Sequence, residues 1–413
     1  MTVALGSQSF HSFVTMVRGL LAKTLTGLAA SAICTACGGH ARTSSDADAA
    51  PSADATSDAE AGAFPLNAPR LRLACGGSST CFLTAQGSVS CWGTDADGEL
   101  GNGSIDYTVK GPAPVTLLSP AVGLIGGPLQ TCTFSANDAA ECWGLLPSLA
   151  ATPTPMPTSL PLAAVATIAL NVHDCAVTRA GDVYCWGADK FLGNGAGTSD
   201  SPVQVAGLHQ AIDVAIATDS EVGSGVATLV VLADGSVVGW GHAHGPGLTT
   251  DSSSDQLTPI PMTGLSGMRQ ITLGSSHACA LLENAEVACW GSNVGGRLGS
   301  SSPNTLVPQV VGGLSDVAEV RAGDAFTCAR RTNGEVLCWG ENTYQALARP
   351  QSTLFSRVPV NIDVPPVTDL AVGLGHACVL TRDVNVMCWG SNFSGQINAS
   401  DQLTFGTPTM VSR

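Results

Sequence analysis

His277-Ala-Cys-Ala-Leu-Leu-Glu-Asn-Ala-Glu-Val-Ala-Cys-Trp-Gly-Ser-Asn-Val-Gly-Gly-Arg-Leu-Gly299 is the stretch on which the fold turns. Two short apolar runs flank a polar centre, and a cysteine stands in each run. The pattern recurs through most of the chain. Trp92, Trp143, Trp186, Trp240, Trp290, Trp339 and Trp389 are each followed by glycine and return roughly every 50 residues, the range of repeat architectures. Six of these tryptophans follow a cysteine whose partner lies ten positions upstream. The pairs are Cys81 with Cys91, Cys132 with Cys142, Cys175 with Cys185, Cys279 with Cys289, Cys328 with Cys338, and Cys378 with Cys388. The fourth repeat has Leu229 and Gly239 there instead, and joint loss is what a bonded pair would show.

Each unit reads as a hairpin, near residues 75–93, 126–144, 169–187, 223–241, 273–291, 322–340 and 372–390. Ala85-Gln86-Gly87, Arg179-Ala180-Gly181, Ala233-Asp234-Gly235 and Thr332-Asn333-Gly334 fit three-residue loops with glycine in the left-handed last position. Asp138, Ala285 and Val384 take that position in repeats two, five and seven, where different turns are expected. Folding a hairpin about its centre sets the two cysteines opposite each other, at a separation a disulfide bridges. Zinc ligation is the alternative, but no Cys-x-x-Cys knuckle is present and the adjoining tryptophan is a packing residue, so disulfides are favoured. Cys75 has no partner in this register and is expected as a small buried apolar residue.

Period-2 alternation puts Cys81, Leu83, Val89 and Cys91 on one face of the first hairpin and Trp92 on the other. Sheets apolar on both faces must be sandwiched, as propeller blades are. After Trp-Gly comes a Gly/Asn-rich turn, as in Ser292 to Gly299, and then a proline-containing strand such as Pro202–Val205 or Pro308–Val311. A segment such as Val320 to Gly323 leads into the next hairpin. The first repeat has no such proline strand upstream, whereas Pro408-Thr-Met-Val411 follows the last, so the C-terminal strand is expected to complete the first blade and close the ring.

The consensus Trp-Gly-x-Asn-x-x-Gly-x-Leu-Gly, preceded by His-x-Cys-Ala-Leu, resembles the regulator of chromosome condensation repeat family, with residues 277–299 the nearest copy. The resemblance covers roughly residues 65–413 and implies an all-β, seven-bladed β-propeller; secreted bacterial members with a Cys-Trp-Gly motif exist. The family's eukaryotic founder is a guanine nucleotide exchange factor that docks on chromatin through a basic tail. Here the tail is acidic, and residues matching the exchange wedge are not found.

That tail differs from the rest of the chain. Arg18 and Lys23 precede an apolar run, Leu25 to Ile33, which is too short to span a bilayer and reads as an export signal. Cys37, preceded by Ala36 and followed by Gly38-Gly39, resembles a bacterial lipobox cysteine, although Cys34 stands where that motif prefers leucine. A plainly cleaved signal peptide is the alternative. Residues 1–37 are thus assigned as a signal or lipoprotein segment, 38–64 as a disordered Ala/Ser/Asp tether and 65–413 as the propeller. The expected location is a bacterial cell envelope or the surrounding medium.

Composition narrows the function. Net charge is −15 over 413 residues, which speaks against nucleic acid and anionic membrane surfaces; membrane association is expected through the lipid anchor alone. Fifteen cysteines fit an oxidising compartment. Only 12% of residues are charged, against about 25% in typical domains, as sheets buried on both faces require.

Candidate chemistry is sparse. His173, His277 and His376 each stand two residues before a hairpin's first cysteine and are expected to hydrogen-bond within their blades. His242 and His244 would face one side of a strand as a weak candidate metal pair. Asp95-Ala96-Asp97-Gly98-Glu99 looks like part of a calcium loop but aligns with the ordinary turn at 293–297. No phosphate loop, nucleophile elbow or paired-carboxylate motif is present, and no cofactor is expected. The expectation is a monomeric, non-catalytic scaffold for a protein or extracellular ligand, with residues 242–255 the first place to look. Its rivals are a hydrolase or lyase at the propeller mouth, and nucleotide exchange.

Overall fold

The computed structural model describes residues 71–147, 152–218, 225–243, 247–248 and 254–412. Cys34, Cys37, the signal segment and the tether lie outside the described residues. The seven hairpins become seven four-stranded antiparallel sheets, the blades of a propeller. Blade 1 runs Leu73–Cys75, Ser79–Leu83, Val89–Asp95, Asp106–Pro114; blade 7 runs Val367–Val372, His376–Thr381, Val386–Ser391, Thr404–Met410. Blades 2 to 6 start at Ala121, Val165, Ala211, Met268 and Val317. Strand order follows the sequence in every blade, and successive first strands pack against one another around the centre.

Hairpin register explains the cysteine spacing, because residues ten apart stand directly opposite each other across the turn. All six expected bonds are formed, each with Cα atoms 4.1 Å apart. In blades 1 to 3, Cys81 is bonded to Cys91, Cys132 to Cys142 and Cys175 to Cys185. In blades 5 to 7, Cys279 is bonded to Cys289, Cys328 to Cys338 and Cys378 to Cys388. Leu229 and Gly239 hold the same register in blade 4, where Leu229 fills the space a larger partner would need: a Cβ on Gly239 would sit 2.4 Å from its Cδ2. The glycine after each tryptophan also has a cause. Pairing with the fourth strand slips between Cys289 and Gly291, and Gly291 takes φ 108° with Ser276 O only 2.7 Å from any added Cβ.

The seven hairpin turns are alike, contrary to the expectation for repeats two, five and seven. Asp138, Ala285 and Val384 take φ of 60°, 63° and 62°, beside 84° at Gly87 and 80° at Gly181. Their turn hydrogen bonds match as well: Val384 N donates to Thr381 O as Gly87 N does to Thr84 O. Tertiary packing imposes the turn whichever residue occupies it.

Each interface between blades holds an apolar cluster that joins the face carrying the disulfide positions of one blade, Leu229 and Gly239 in blade 4, to the tryptophan face of the next. Between blades 5 and 6, Cys279, Leu281, Val287, Cys289 and Leu298 meet Val317, Val320, Ala329 and Trp339. Six of the tryptophans also donate from Nε1 to a backbone carbonyl of the preceding blade, as Trp339 does to Arg297 O at 3.0 Å.

Ring closure overturns a second expectation. The C-terminal strand, Thr404–Met410, pairs with Val386–Ser391 inside blade 7, and blade 1 draws its fourth strand from its own sequence, Asp106–Pro114. The proline strand lies downstream of every Cys-Trp-Gly, so each hairpin has its own and none is shared. Prolines on these outer strands, among them Pro202, Pro308 and Pro408, leave gaps in the edge donors and blunt edge-to-edge pairing.

Candidate functional site

The loops joining first to second and third to fourth strands emerge at one end of the blades, and the third-to-fourth loops carry the more varied side chains. In blades 5 to 7 the loop is pinned by the asparagine two residues after Trp-Gly. Asn342 Nδ2 donates to Thr353 O at 2.7 Å while its Oδ1 accepts from Leu347 N at 2.9 Å. Asn293 and Asn392 do the same through Leu298 and Ile397. In blade 1 Asp95 takes this role, accepting from Leu100 N and Ser104 Oγ at 3.1 Å each. The suspected calcium loop is therefore the ordinary turn. Burial of Glu99 pushes its carboxyl up to about 7, and Glu99 accepts from Asp97 N at 2.7 Å.

Beyond the pins, blades 5 to 7 expose apolar tips. Val294 and Phe393 are 55% and 40% exposed, and Phe393 meets Tyr344 edge to face at a centroid distance of 5.2 Å. Blade 6 reaches this arrangement against its own backbone preference. Tyr344, Gln345 and Ala348 take φ of 58°, 65° and 50°, whereas the matching positions in blade 5 are Gly295, Gly296 and Gly299. A left-handed non-glycine residue costs about 1–2 kcal/mol, and such conformations gather at functional sites. Gln345 is held by Thr404, whose Oγ1 donates to its Oε1 at 2.8 Å. Sequence reasoning missed Tyr344 and Phe393; the signal was the replacement of Gly-Gly by Tyr-Gln in one repeat of several.

Of the three histidines expected to bond within their blades, His173 does so, to Asp189, and all three also bond to the next blade. His173 Nε2 meets Thr228 Oγ1 at 2.9 Å, His277 meets Thr327 at 2.8 Å, and His376 meets Thr80 at 2.9 Å. Each threonine belongs to the next blade round the ring. At the blade 2 to 3 interface the same two positions carry Gln130 and Asp174, joined at 3.0 Å. Burial lowers His277 and His376 from 6.5 to about 3, and the Arg297 charge adds to the effect on His277. Both rings are thus neutral at ordinary pH. His173 also contacts Asp189 through Nδ1 at 2.8 Å.

At the centre, Glu319 is 1% exposed and accepts from Arg321 Nε at 2.9 Å and Arg330 Nε at 3.2 Å. Asp213 accepts from Ile271 N of the next blade at 2.8 Å, and burial pushes it up to about 6 against the pull of Arg321. Burial and Glu319 raise Asp369, with Arg330 and Arg72 opposing. Both oxygens of Glu319 are taken by guanidinium groups of its own blade, so this pairing ties the first strand of blade 6 to its second.

The suspected metal pair lies only in part within the described residues. His242 lies 3.7 Å from Asp255, whose carboxylate is engaged by Lys190 Nζ at 2.6 Å, and His244 lies outside the described residues.

Residues 72–99, 268–297, 317–345 and 367–396 match the family model described as the regulator of chromosome condensation (RCC1) repeat. The chain thus carries matches to the regulator of chromosome condensation repeat in four of its blades. Its RCC1 matches fall on blades 1, 5, 6 and 7. Over 127 residues it is 36% identical to the ultraviolet-B receptor UVR8 of Arabidopsis thaliana, covering 29% of this chain and 28% of the receptor. Over 147 residues it is 31% identical to the mitochondrial RCC1 domain-containing protein RUG3 of the same plant, covering 34% and 32%. The matched stretches thus span less than half of these relatives' own lengths. Among solved structures, Prp20p of Saccharomyces cerevisiae superposes with a TM-score of 0.69 at 19% identity, over 80% of this chain and 87% of Prp20p. Human WBSCR16 gives a TM-score of 0.63 at 23% identity, over 74% and 85%. At these identities the likeness is one of fold.

Proposed function

We propose that this chain is an exported, non-catalytic RCC1-type propeller, anchored by a lipid on Cys37, that binds a protein partner through the loop tips of blades 5 to 7. The carrying observation is the pair Tyr344 and Phe393, held on pinned loops with Tyr344 in a left-handed backbone that blade 5 gives to glycine. Rigid, half-exposed aromatic residues beside aliphatic ones are the usual anchors of protein interfaces. Similar folds are associated with proteins: Prp20p with Gsp1p and histones, and yeast RCC1 with Kap60. An exported chain meets a different set of proteins, so the expected partner here is a different one. This reading puts the site at blades 5 to 7 rather than at 242–255.

The test is affinity capture from envelope and medium with the wild-type propeller and with Tyr344→Ala/Phe393→Ala. Loss of two hot-spot residues is expected to weaken the specific partner on the order of 100-fold, about 2.7 kcal/mol, with unchanged thermal unfolding. Equal capture by both proteins sinks the proposed face. Radiolabelled fatty acid incorporated by the wild type and lost in Cys37→Ser supports the anchor; label retained in the variant refutes it.

A further inference from the structure

Cys75 is the odd cysteine of the propeller, and it stands beside another blade's disulfide. It ends the first strand of blade 1, buried, in register with Thr80. At this register position the other blades carry Gly126, Leu170, Ile216, Leu273, Ala322 and Val372, so a sulfur occupies a place otherwise filled by apolar residues. Its Sγ, the Sγ of Cys378 and a ring nitrogen of His376 all lie within 4.8 Å of one another. Cys378 is already bonded to Cys388. With that sulfur engaged, the cluster offers two ligand atoms rather than three, and its chemistry is that of a thiol beside a disulfide.

The location adds meaning to the contact. Blades 1 and 7 share no strand, so the seam of the ring is closed by side chains. Trp92 Nε1 donates to Gln396 O at 3.0 Å, Thr80 Oγ1 to the same oxygen at 2.7 Å, and Thr94 Oγ1 to Ser394 O at 3.2 Å. The apolar cluster at this seam contains Cys75, Cys378 and Cys388 together.

We propose that Cys75 exchanges with the Cys378–Cys388 disulfide and so moves a covalent bond onto the ring seam. The Cys75 thiolate attacks Cys378 Sγ, the Cys378–Cys388 bond breaks, and Cys388 leaves as a thiolate that takes up the proton given up by Cys75. One disulfide and one thiol are present before and after, so no external oxidant or reductant is consumed. The product ties the first strand of blade 1 to the second strand of blade 7, which is the work a shared closing strand would do. Burial pushes the Cys75 thiol up to about 12, with the Thr80 hydroxyl pulling the other way. The thiol is therefore the resting form while the seam is shut, and exchange follows its opening.

Trypsin separates the participants. Cleavage after Arg72, Lys110, Arg357 and Arg382 puts Cys75 on peptide 73–110, Cys378 on 358–382 and Cys388 on 383–413. The oxidised full chain is held in sub-denaturing guanidinium in mildly alkaline buffer without added thiol, then blocked with N-ethylmaleimide in strong denaturant and mapped unreduced. The expected result is a growing link between 73–110 and 358–382, while the maleimide label shifts from Cys75 to Cys388. Label confined to Cys75 at all times, with the seam opened by guanidinium, overturns the proposal. Cys388→Ser provides the second arm, in a glutathione buffer poised to oxidise thiols. Cys75 and Cys378 are then expected to bond as the major form, with no such link in Cys75→Ser/Cys388→Ser. If the remaining disulfides form in Cys388→Ser, proving the fold, yet Cys75 and Cys378 both stay open to alkylation, the proposal fails.

Discussion

Blades 5 to 7 and blades 2 to 4 have the same four strands in the same register, yet the RCC1 family model matches only the first group and blade 1. Departures from the repeat pattern come in pairs. Blade 4 exchanges two cysteines for Leu229 and Gly239, which face each other and fill one space. His277 faces Thr327 across one interface; Gln130 faces Asp174 across another. At the same positions Ala227 is matched with Ala278 and Phe326 with Ala377, apolar with apolar. Some of these pairs lie within a hairpin, but the polar ones cross from blade to blade. The unit that the repeat preserves is therefore the interface rather than the blade, and a blade departs from consensus when its neighbour departs with it.

Acidification should break this comparison most strongly. His277 and His376 have folded values near 3 against 6.5 for a free ring, because burial disfavours the charged form. The unfolded chain takes up protons that the folded chain refuses, so their contribution is full above the free value and is lost as pH falls from 6.5 towards 3. At 1.36 kcal/mol per unit, each histidine is worth on the order of 4 kcal/mol by the lower end. Asp174 and Glu99, raised by burial to about 7, act in the opposite sense: their contribution is present below the ordinary carboxylate range and lost as pH rises towards 7. A swap isolates the histidine. His277→Phe/Thr327→Ala installs at the blade 5 to 6 interface the pair that Phe326 and Ala377 make between blades 6 and 7. In guanidinium unfolding across pH, the double variant is expected to gain on wild type only below about pH 6.5, by on the order of 4 kcal/mol near pH 3. Parallel pH profiles would show that the buried ring is not what titrates.

The disulfide exchange between the same regions ranks next. Replacing Cys328 by Leu together with Cys338 by Gly gives blade 6 the pair found in blade 4. Removing the cross-link is expected to cost about 3 kcal/mol through the unfolded chain's regained freedom, offset in part by the buried leucine. Leu229→Cys with Gly239→Cys is the reverse move, and the shared register predicts that its bond forms, with a gain smaller than about 3 kcal/mol because the apolar filling of Leu229 is lost. Unreduced peptide maps read the bonds and denaturation reads the energies. A cost near zero in blade 6 would make Leu/Gly a full substitute for the cross-link.

Much of the fold is legible in the chain because its signals are local and repeated. Seven Trp-Gly pairs and six spaced cysteine pairs mark the hairpins, and period-2 alternation marks both buried faces. What could not be read depends on residues far apart in sequence. Thr80 and His376 meet across the ring although they lie near opposite ends of the propeller. The closing arrangement is hidden for a related reason: Asp106–Pro114 looks like loop until its partner strand, Val89–Asp95, is known. Tyr344 with Phe393 is a juxtaposition across blades that no single repeat displays, and Glu319 meets Arg330 only once the two strands of blade 6 pair.

The smallest effect tests how firmly packing overrides local preference. Gly334 and Val384 close equivalent turns in blades 6 and 7, with φ of 95° and 62°. At Gly334 an added Cβ would meet Val367 N of the next blade at 2.8 Å, so glycine is required by space as well as by φ. Val384 is 42% exposed, and its side chain is tolerated by space while its backbone is strained. A β-branched residue is the least suited to a left-handed backbone. Val384→Gly relieves about 1–2 kcal/mol of that strain but loosens the unfolded chain by about 0.4–1 kcal/mol, so a net gain between about 0 and 1.6 kcal/mol is expected. Gly334→Val should instead destabilise, since strain and collision add. Should Val384→Gly lower the melting temperature, the valine must contribute packing that outweighs its backbone, and the turn in blade 7 would be held by its side chain rather than merely permitting it.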